Sequence, residues 1–79
     1  MAVYTYLTDE CKKQAQKHDV YNQIENIRQH IDKTQTTLGF EPIEGSKVFY
    51  KKRVGRYRLI AGRKPLENSD VVFVFWRLY

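Results

Sequence analysis

The segment Lys47-Val-Phe-Tyr-Lys-Lys-Arg-Val-Gly-Arg-Tyr-Arg-Leu-Ile-Ala-Gly-Arg-Lys64 carries eight of the fourteen lysine and arginine residues of a 79-residue chain. No acidic residue falls between Gly45 and Leu66, whereas the remainder holds six basic and nine acidic residues. The net charge of +5 is therefore supplied by this one segment. Aromatic and β-branched residues on either side of Gly55 predict two strands, Lys47–Val54 and Tyr57–Ala61. Strand alternation sets Lys51 and Arg53 on one face, with Val48, Tyr50 and Val54 on the other. A polyanion fits such a surface. A solvated edge, whose lysines deter aggregation, fits it too. Charge alone tilts the balance slightly toward the polyanion.

Working outward, the length allows a single domain spanning 1–79, small enough that its core must be compact and well filled. Hydrophobic content of 42% and aromatic content of 14% argue against disorder. A lone cysteine, Cys11, precludes an internal disulfide and fits a reducing compartment. The N-terminal residues lack the basic-then-apolar order of a secretory signal. The longest apolar run, Val71–Trp76, is too short to span a bilayer. These features predict a soluble cytoplasmic protein with no membrane partner.

Upstream of the basic segment, Ala2–Leu7 alternates as a short strand. Thr8 reads as a helix N-cap, with Asp9 and Glu10 in the first turn, where they oppose the helix dipole. This helix should reach about His18, with Leu7, Cys11 and Ala15 as its apolar stripe. Asp19 then caps a second helix, whose Val20, Ile24, Ile27, Ile31 and Thr34 follow helical spacing. Thr36-Thr37-Leu38-Gly39 ends it, with Gly39 suited to a left-handed terminal residue. Phe40–Ser46 reads as a loop because of Pro42 and Gly45.

Downstream, Gly62–Ser69 reads as a second loop. Asp70–Tyr79 is a last strand with Val72, Val74 and Trp76 on one face and Val71, Phe73, Phe75 and Arg77 on the other. Apolar residues on both faces place it inside a sheet. The predicted fold is α+β and two-layered: a helical hairpin on a mostly antiparallel four-stranded sheet, in the order β-α-α-β-β-β.

No metal or cofactor is indicated. Cys11, His18 and His30 lack paired ligand spacing, and Gly39, Gly45, Gly55 and Gly62 are scattered turn glycines rather than a nucleotide-binding pattern. What remains is a set of cations and aromatics, with Glu41 just ahead of them. RNA phosphodiester cleavage needs a base for the 2′-hydroxyl proton, cations for the crowded phosphorane and an acid for the leaving 5′-oxygen. Arginine suits the middle role because its planar fork matches two phosphate oxygens. Tyr50 and Tyr57, interleaved with the cations, could hold an unstacked base. The same residues are equally compatible with simple binding.

Arg53-Val-Gly-Arg-Tyr-Arg-Leu-Ile60 resembles the strand-turn-strand signature of the RelE/ParE toxin superfamily. There an Arg-x-Gly-x-Tyr-Arg segment follows a helical hairpin and precedes an apolar final strand. Glu41-Pro-Ile43 and Trp76-Arg-Leu-Tyr79 resemble two segments of its YoeB branch, a Glu-Pro-Leu before the hairpin and a tyrosine at the chain end. The resemblance spans nearly the whole chain and is sharpest in the hairpin.

It implies the toxin of a toxin–antitoxin system: an mRNA endoribonuclease, ribosome-dependent or free, neutralised by a cognate acidic antitoxin. Glu41 would then be the general base, Arg58 the phosphate stabiliser and Tyr79 the terminal tyrosine. Lys51 and Arg53 would lie on the substrate face, with Arg56 and Arg77 as further phosphate contacts. Two departures stand out. The YoeB branch places a histidine acid where this chain has Leu78, which transfers no proton. Catalytic residues that RelE carries beyond the last strand have no counterpart. Arg77, which holds its protons tightly, serves better as an electrostatic clamp than as an acid. The departures motivate an alternative, a catalytically silent RelE-fold binding module. Such a module could be the N-terminal part of a larger protein or a ParE-like binder of a protein target. A third reading, a plain nucleic-acid binder, predicts salt-sensitive RNA affinity without cleavage.

Overall fold

The computed structural model describes residues 2–37 and 39–79. Met1 and Leu38, the latter inside the expected helix-ending segment, lie outside the described residues. Five strands form one sheet: β1 (Val3–Leu7), β2 (Glu41–Pro42), β3 (Phe49–Val54), β4 (Tyr57–Pro65) and β5 (Val71–Leu78). Two helices, α1 (Asp9–Lys17) and α2 (Tyr21–Thr34), separate β1 from the rest. The class is α+β as expected. The sheet, however, has five strands and is mixed, in the order β1-β5-β4-β3-β2. β1 runs parallel to β5, and every other pairing is antiparallel. None of the helices is long and apolar enough to cross a membrane, among the described residues.

The helices form where the apolar stripe demanded. Cys11 and Ala15 of α1 and Ile24 and Ile31 of α2 are buried, Ile27 is half-buried, and Thr34 is exposed. They join Val54, Leu59, Ala61, Phe73, Phe75 and Leu78 in one core. Phe40 extends this cover beyond the helices, its ring edge-on to Phe73 at 4.9 Å and tilted against Phe75 at 5.8 Å. Thr8 caps α1, its hydroxyl oxygen accepting from the Cys11 N–H at 3.2 Å. Asp19 does not cap α2. It takes a left-handed φ of 58° between the helices, and Val20 occupies the N-cap without a side-chain hydrogen bond.

The left-handed residue ending α2 is Gln35 (φ 59°), not Gly39. Gly39 (φ 95°) serves the loop that follows, where a Cβ would stand 2.7 Å from the Lys52 ammonium. Both expected loops are shorter than their composition predicts. Glu41–Pro42 pairs with Tyr50 and Lys51, and β4 continues through Gly62 to Pro65, opposite Val71. In each case pairing with a neighbouring strand overrides the local breakers.

β1 is an edge strand, and its open side is met by the Gln35 amide. The Val3 N–H donates to Gln35 Oε1 at 2.8 Å, and Gln35 Nε2 donates to the Val3 carbonyl at 3.0 Å. A side chain thus imitates the missing strand. Gln35→Ala should cost about 1–2 kcal/mol by leaving both backbone groups unpaired. The urea midpoint should fall, and Val3 amide exchange should accelerate more than exchange in β4. Unchanged exchange at Val3 would rule the clamp out.

Candidate nucleic-acid interface

The β3–β4 hairpin closes on the pair Val54 and Tyr57 through a two-residue turn. Gly55 holds φ 60° at its first central position, where the twist of a tight hairpin favours glycine. The register sets Arg53 directly opposite Arg58, and Lys51 opposite both Ile60 and Glu41. Lys51, Arg53 and Arg58 point away from the helices, because alternation gives Val54, Leu59 and Ala61 to the core. With Glu41, Gly39 and Lys52 they line one open depression at the β2 side of the sheet.

β5 extends this surface through an irregularity that strict alternation does not foresee. Ala61 pairs with Phe75 but Ile60 pairs with Arg77, so Trp76 is one residue too many. A bulge of this kind shifts the following side chains to the opposite face. Arg77, expected beside Phe73 and Phe75, instead shares the outer face with Ile60, and Leu78 returns to the core at 2% exposure. Tyr79 follows on the outer face, 65% exposed. Its backbone exchanges two hydrogen bonds with Arg58, Arg58 N–H to the Tyr79 carbonyl at 2.7 Å and Tyr79 N–H to the Arg58 carbonyl at 3.0 Å.

Helix-borne side chains fasten the bulge from behind. The Thr8 hydroxyl lies 3.1 Å from the Phe75 carbonyl and 2.7 Å from that of Trp76. Gln14 Oε1 accepts from the Leu78 N–H at 2.8 Å, where β1 no longer provides a neighbour. Sequence reasoning missed Gln14, since its helical position reads as ordinary polar surface. The bulge did carry a signal. An arginine in register with two core phenylalanines implies a costly buried charge unless the register breaks.

Six of the seven candidate site residues thus share one outer surface: Glu41, Lys51, Arg53, Arg58, Arg77 and Tyr79. Of these, Glu41, Lys51, Arg53 and Arg58 line the depression, while Arg77 and Tyr79 lie beside it; the seventh, Arg56, is exposed in the hairpin turn. Among the described residues the one ion pair is Arg28 with Glu25 on α2, at 2.9 Å. Glu41 and the cations of the hairpin therefore form no ion pairs among the described residues, and the Lys52 ammonium lies over the Phe40 ring, 5.8 Å from its centroid. Arg53 Nε donates to the Gly55 carbonyl at 3.4 Å, which leaves its charge uncompensated. Like charges directly opposite on paired strands repel and are destabilising. A bound anion would remove that repulsion.

Tyr50 and Tyr57 do not take part. Both pack against the core, Tyr50 with its ring centroid 5.4 Å from that of Phe73, and Tyr57 stacked on His18 at 4.4 Å. Alternation already placed Tyr50 with Val54, so the outer aromatics have to come from other positions. Phe49 and Trp76 supply them, along with Tyr4 and Tyr6 on β1, all exposed.

Cys11 lies outside this surface, buried beneath α1. Burial, with the Glu10 carboxylate adding to it, pushes its thiol up to about 11. The thiolate is the reactive form, so the group stays protonated and inert at neutral pH. Iodoacetamide should label native protein far more slowly than urea-unfolded protein, and equal rates would contradict the burial.

The sequence matches no protein-family model, and no curated protein is significantly similar to it.

Proposed function

We propose that the protein is a RelE-like toxin that cleaves mRNA, acting alone or on the ribosome and held inactive by an acidic antitoxin. The observation that carries this reading is the opposed pair Arg53 and Arg58, unneutralised and set beside Glu41 in one depression. In this mechanism the Glu41 carboxylate accepts the proton of a ribose 2′-hydroxyl. The freed oxygen attacks the adjacent phosphorus, and the P–O5′ bond breaks. The products are a 2′,3′-cyclic phosphate and a 5′-hydroxyl. Arg58, Arg53 and Lys51 hold the phosphorane oxygens, where donors aimed at developing charge act most strongly. The Tyr79 hydroxyl, on the strand beside Arg58, donates to the departing 5′-oxygen.

An acidic, initially disordered antitoxin segment would be steered to the same cations, with apolar contacts supplying most of its affinity. The test is cleavage of end-labelled RNA, free and on programmed ribosomes, by the purified chain and by Glu41→Gln. Cyclic-phosphate ends made by the wild type and lost in the variant support the mechanism. Intact RNA in both settings contradicts it.

One observation favours a second reading, a silent binding module. Leu78 occupies the position of the YoeB acid and is buried in the core, its N–H held by Gln14. In that case RNA or a protein partner binds without being cut, and Leu78→His gains nothing.

A further inference from the structure

Beside the cationic cluster lies a pair of exposed aromatic rings. Phe49 and Trp76 stack with centroids 5.4 Å apart and planes at 27°. They remain 36% and 44% exposed, on the sheet face opposite the helices. The Phe49 ring crosses Gly62, lying 3.6 Å from where a Cβ there would stand, to reach Trp76 on β5. Lys51 lies two residues from Phe49 on the same strand and face, about 7 Å away along it. Arg77 follows Trp76 directly. The half-buried Val72 and Val74 continue the apolar floor toward Tyr4 and Tyr6, their partners on β1. Large exposed aromatics grouped on one face mark a binding surface rather than a solvated one.

We propose that Phe49 and Trp76 are a stacking platform for the unpaired bases of a single-stranded RNA whose phosphates lie on Lys51, Arg53, Arg58 and Arg77. This rests on the RNA reading above and narrows it to single strands. Charge complementarity selects the occupant. An apolar protein segment on the rings would strip water from Lys51 and Arg77 and give them no partner. A single strand meets both needs, because its bases offer flat apolar faces while its backbone carries one negative charge per nucleotide. A duplex keeps its bases stacked internally and cannot offer them. Stacking on an aromatic face is also tolerant of sequence, so the platform positions the strand without choosing a codon.

Trp76 is the one tryptophan of the chain, which makes its emission a local probe. The whole chain is titrated with a ten-nucleotide oligouridine and with an RNA duplex of equal length, and binding is followed in parallel by anisotropy of labelled RNA. The single strand should quench Trp76 with the same midpoint that anisotropy reports, and the duplex should bind more weakly without quenching. Phe49→Leu and Trp76→Leu, made separately, should each weaken single-strand binding by about 5- to 150-fold, the equivalent of one stacked base. The salt dependence should stay as in the wild type, since no phosphate contact is lost. RNA binding with unchanged Trp76 emission, or leucine variants that bind as the wild type does, overturns the platform and leaves the phosphate site standing. No salt-sensitive RNA binding at all overturns the RNA reading itself and the platform with it.

Discussion

Arg58→Ala should reduce RNA cleavage by about 10²–10³-fold, the loss expected when a donor aimed at developing transition-state charge is removed. Arg58 stands between Arg53 on one neighbouring strand and Tyr79 on the other, so its side chain shares the outer face with both. Its contribution to the fold is made by its backbone, which alanine retains, and its side chain is exposed. The thermal midpoint should therefore hardly move. Arg58→Lys should fall between the two, because lysine keeps the charge but loses the planar two-oxygen fork. Single-turnover cleavage of end-labelled RNA gives the rates. A loss below about threefold, against the magnitude given above, would place Arg58 away from the reacting phosphate.

Phe73→Ala should be the most damaging change to the fold, costing about 3–5 kcal/mol. Phe73 is 1% exposed on the interior strand β5, with the Phe40 ring edge-on at 4.9 Å and the Tyr50 ring tilted at 5.4 Å. Domains are stable by only about 5–15 kcal/mol, and one this small sits near the lower end. The variant should show a large drop in urea midpoint or fail to fold at 37 °C. Its effect also reaches the site, because Phe40 immediately precedes Glu41 and anchors the approach to β2. The neighbouring Val72→Ala, on the outer face, should cost far less. Equal midpoints for the two variants would contradict the assignment of faces in β5.

Much of the framework was legible because it rests on local periodicity. The spacing of Val20, Ile24, Ile27 and Ile31 admits only a helix with one buried face, and Thr8 advertises the cap of α1. Apolar residues on both faces of Val71–Phe75 placed that strand inside the sheet, where it lies between β1 and β4. What escaped depends on partners distant in sequence. Whether β1 and β5 pair in parallel is decided by the path of the helices, not by Val3–Leu7. Glu41–Pro42 is a strand only because Tyr50 and Lys51 lie beside it.

The candidate site divides in the same way. Lys51, Arg53 and Arg58 were readable as a charge run with Glu41 just ahead of it, and cross-strand register alone brought the four to one depression. The aromatic residues next to them were misassigned. Interleaving drew attention to Tyr50 and Tyr57, but strand parity turns both toward the core and leaves Phe49 outside. Trp76 and Arg77 depend on the bulge, which the hydroxyl of Thr8 holds from the end of β1. A helix cap was visible in that threonine; its second task was not.

If the open sheet face binds RNA through its cations, the affinity must depend on salt. Lys51, Arg53, Arg58 and Arg77 are four cations on that face, so log K for a short single-stranded RNA should fall against log salt with a slope of about −3. Replacing Arg53 and Arg58 together by alanine should reduce the slope by about 1.4, with the fold intact. A flat salt response, or the full slope retained in the double variant, would contradict the account.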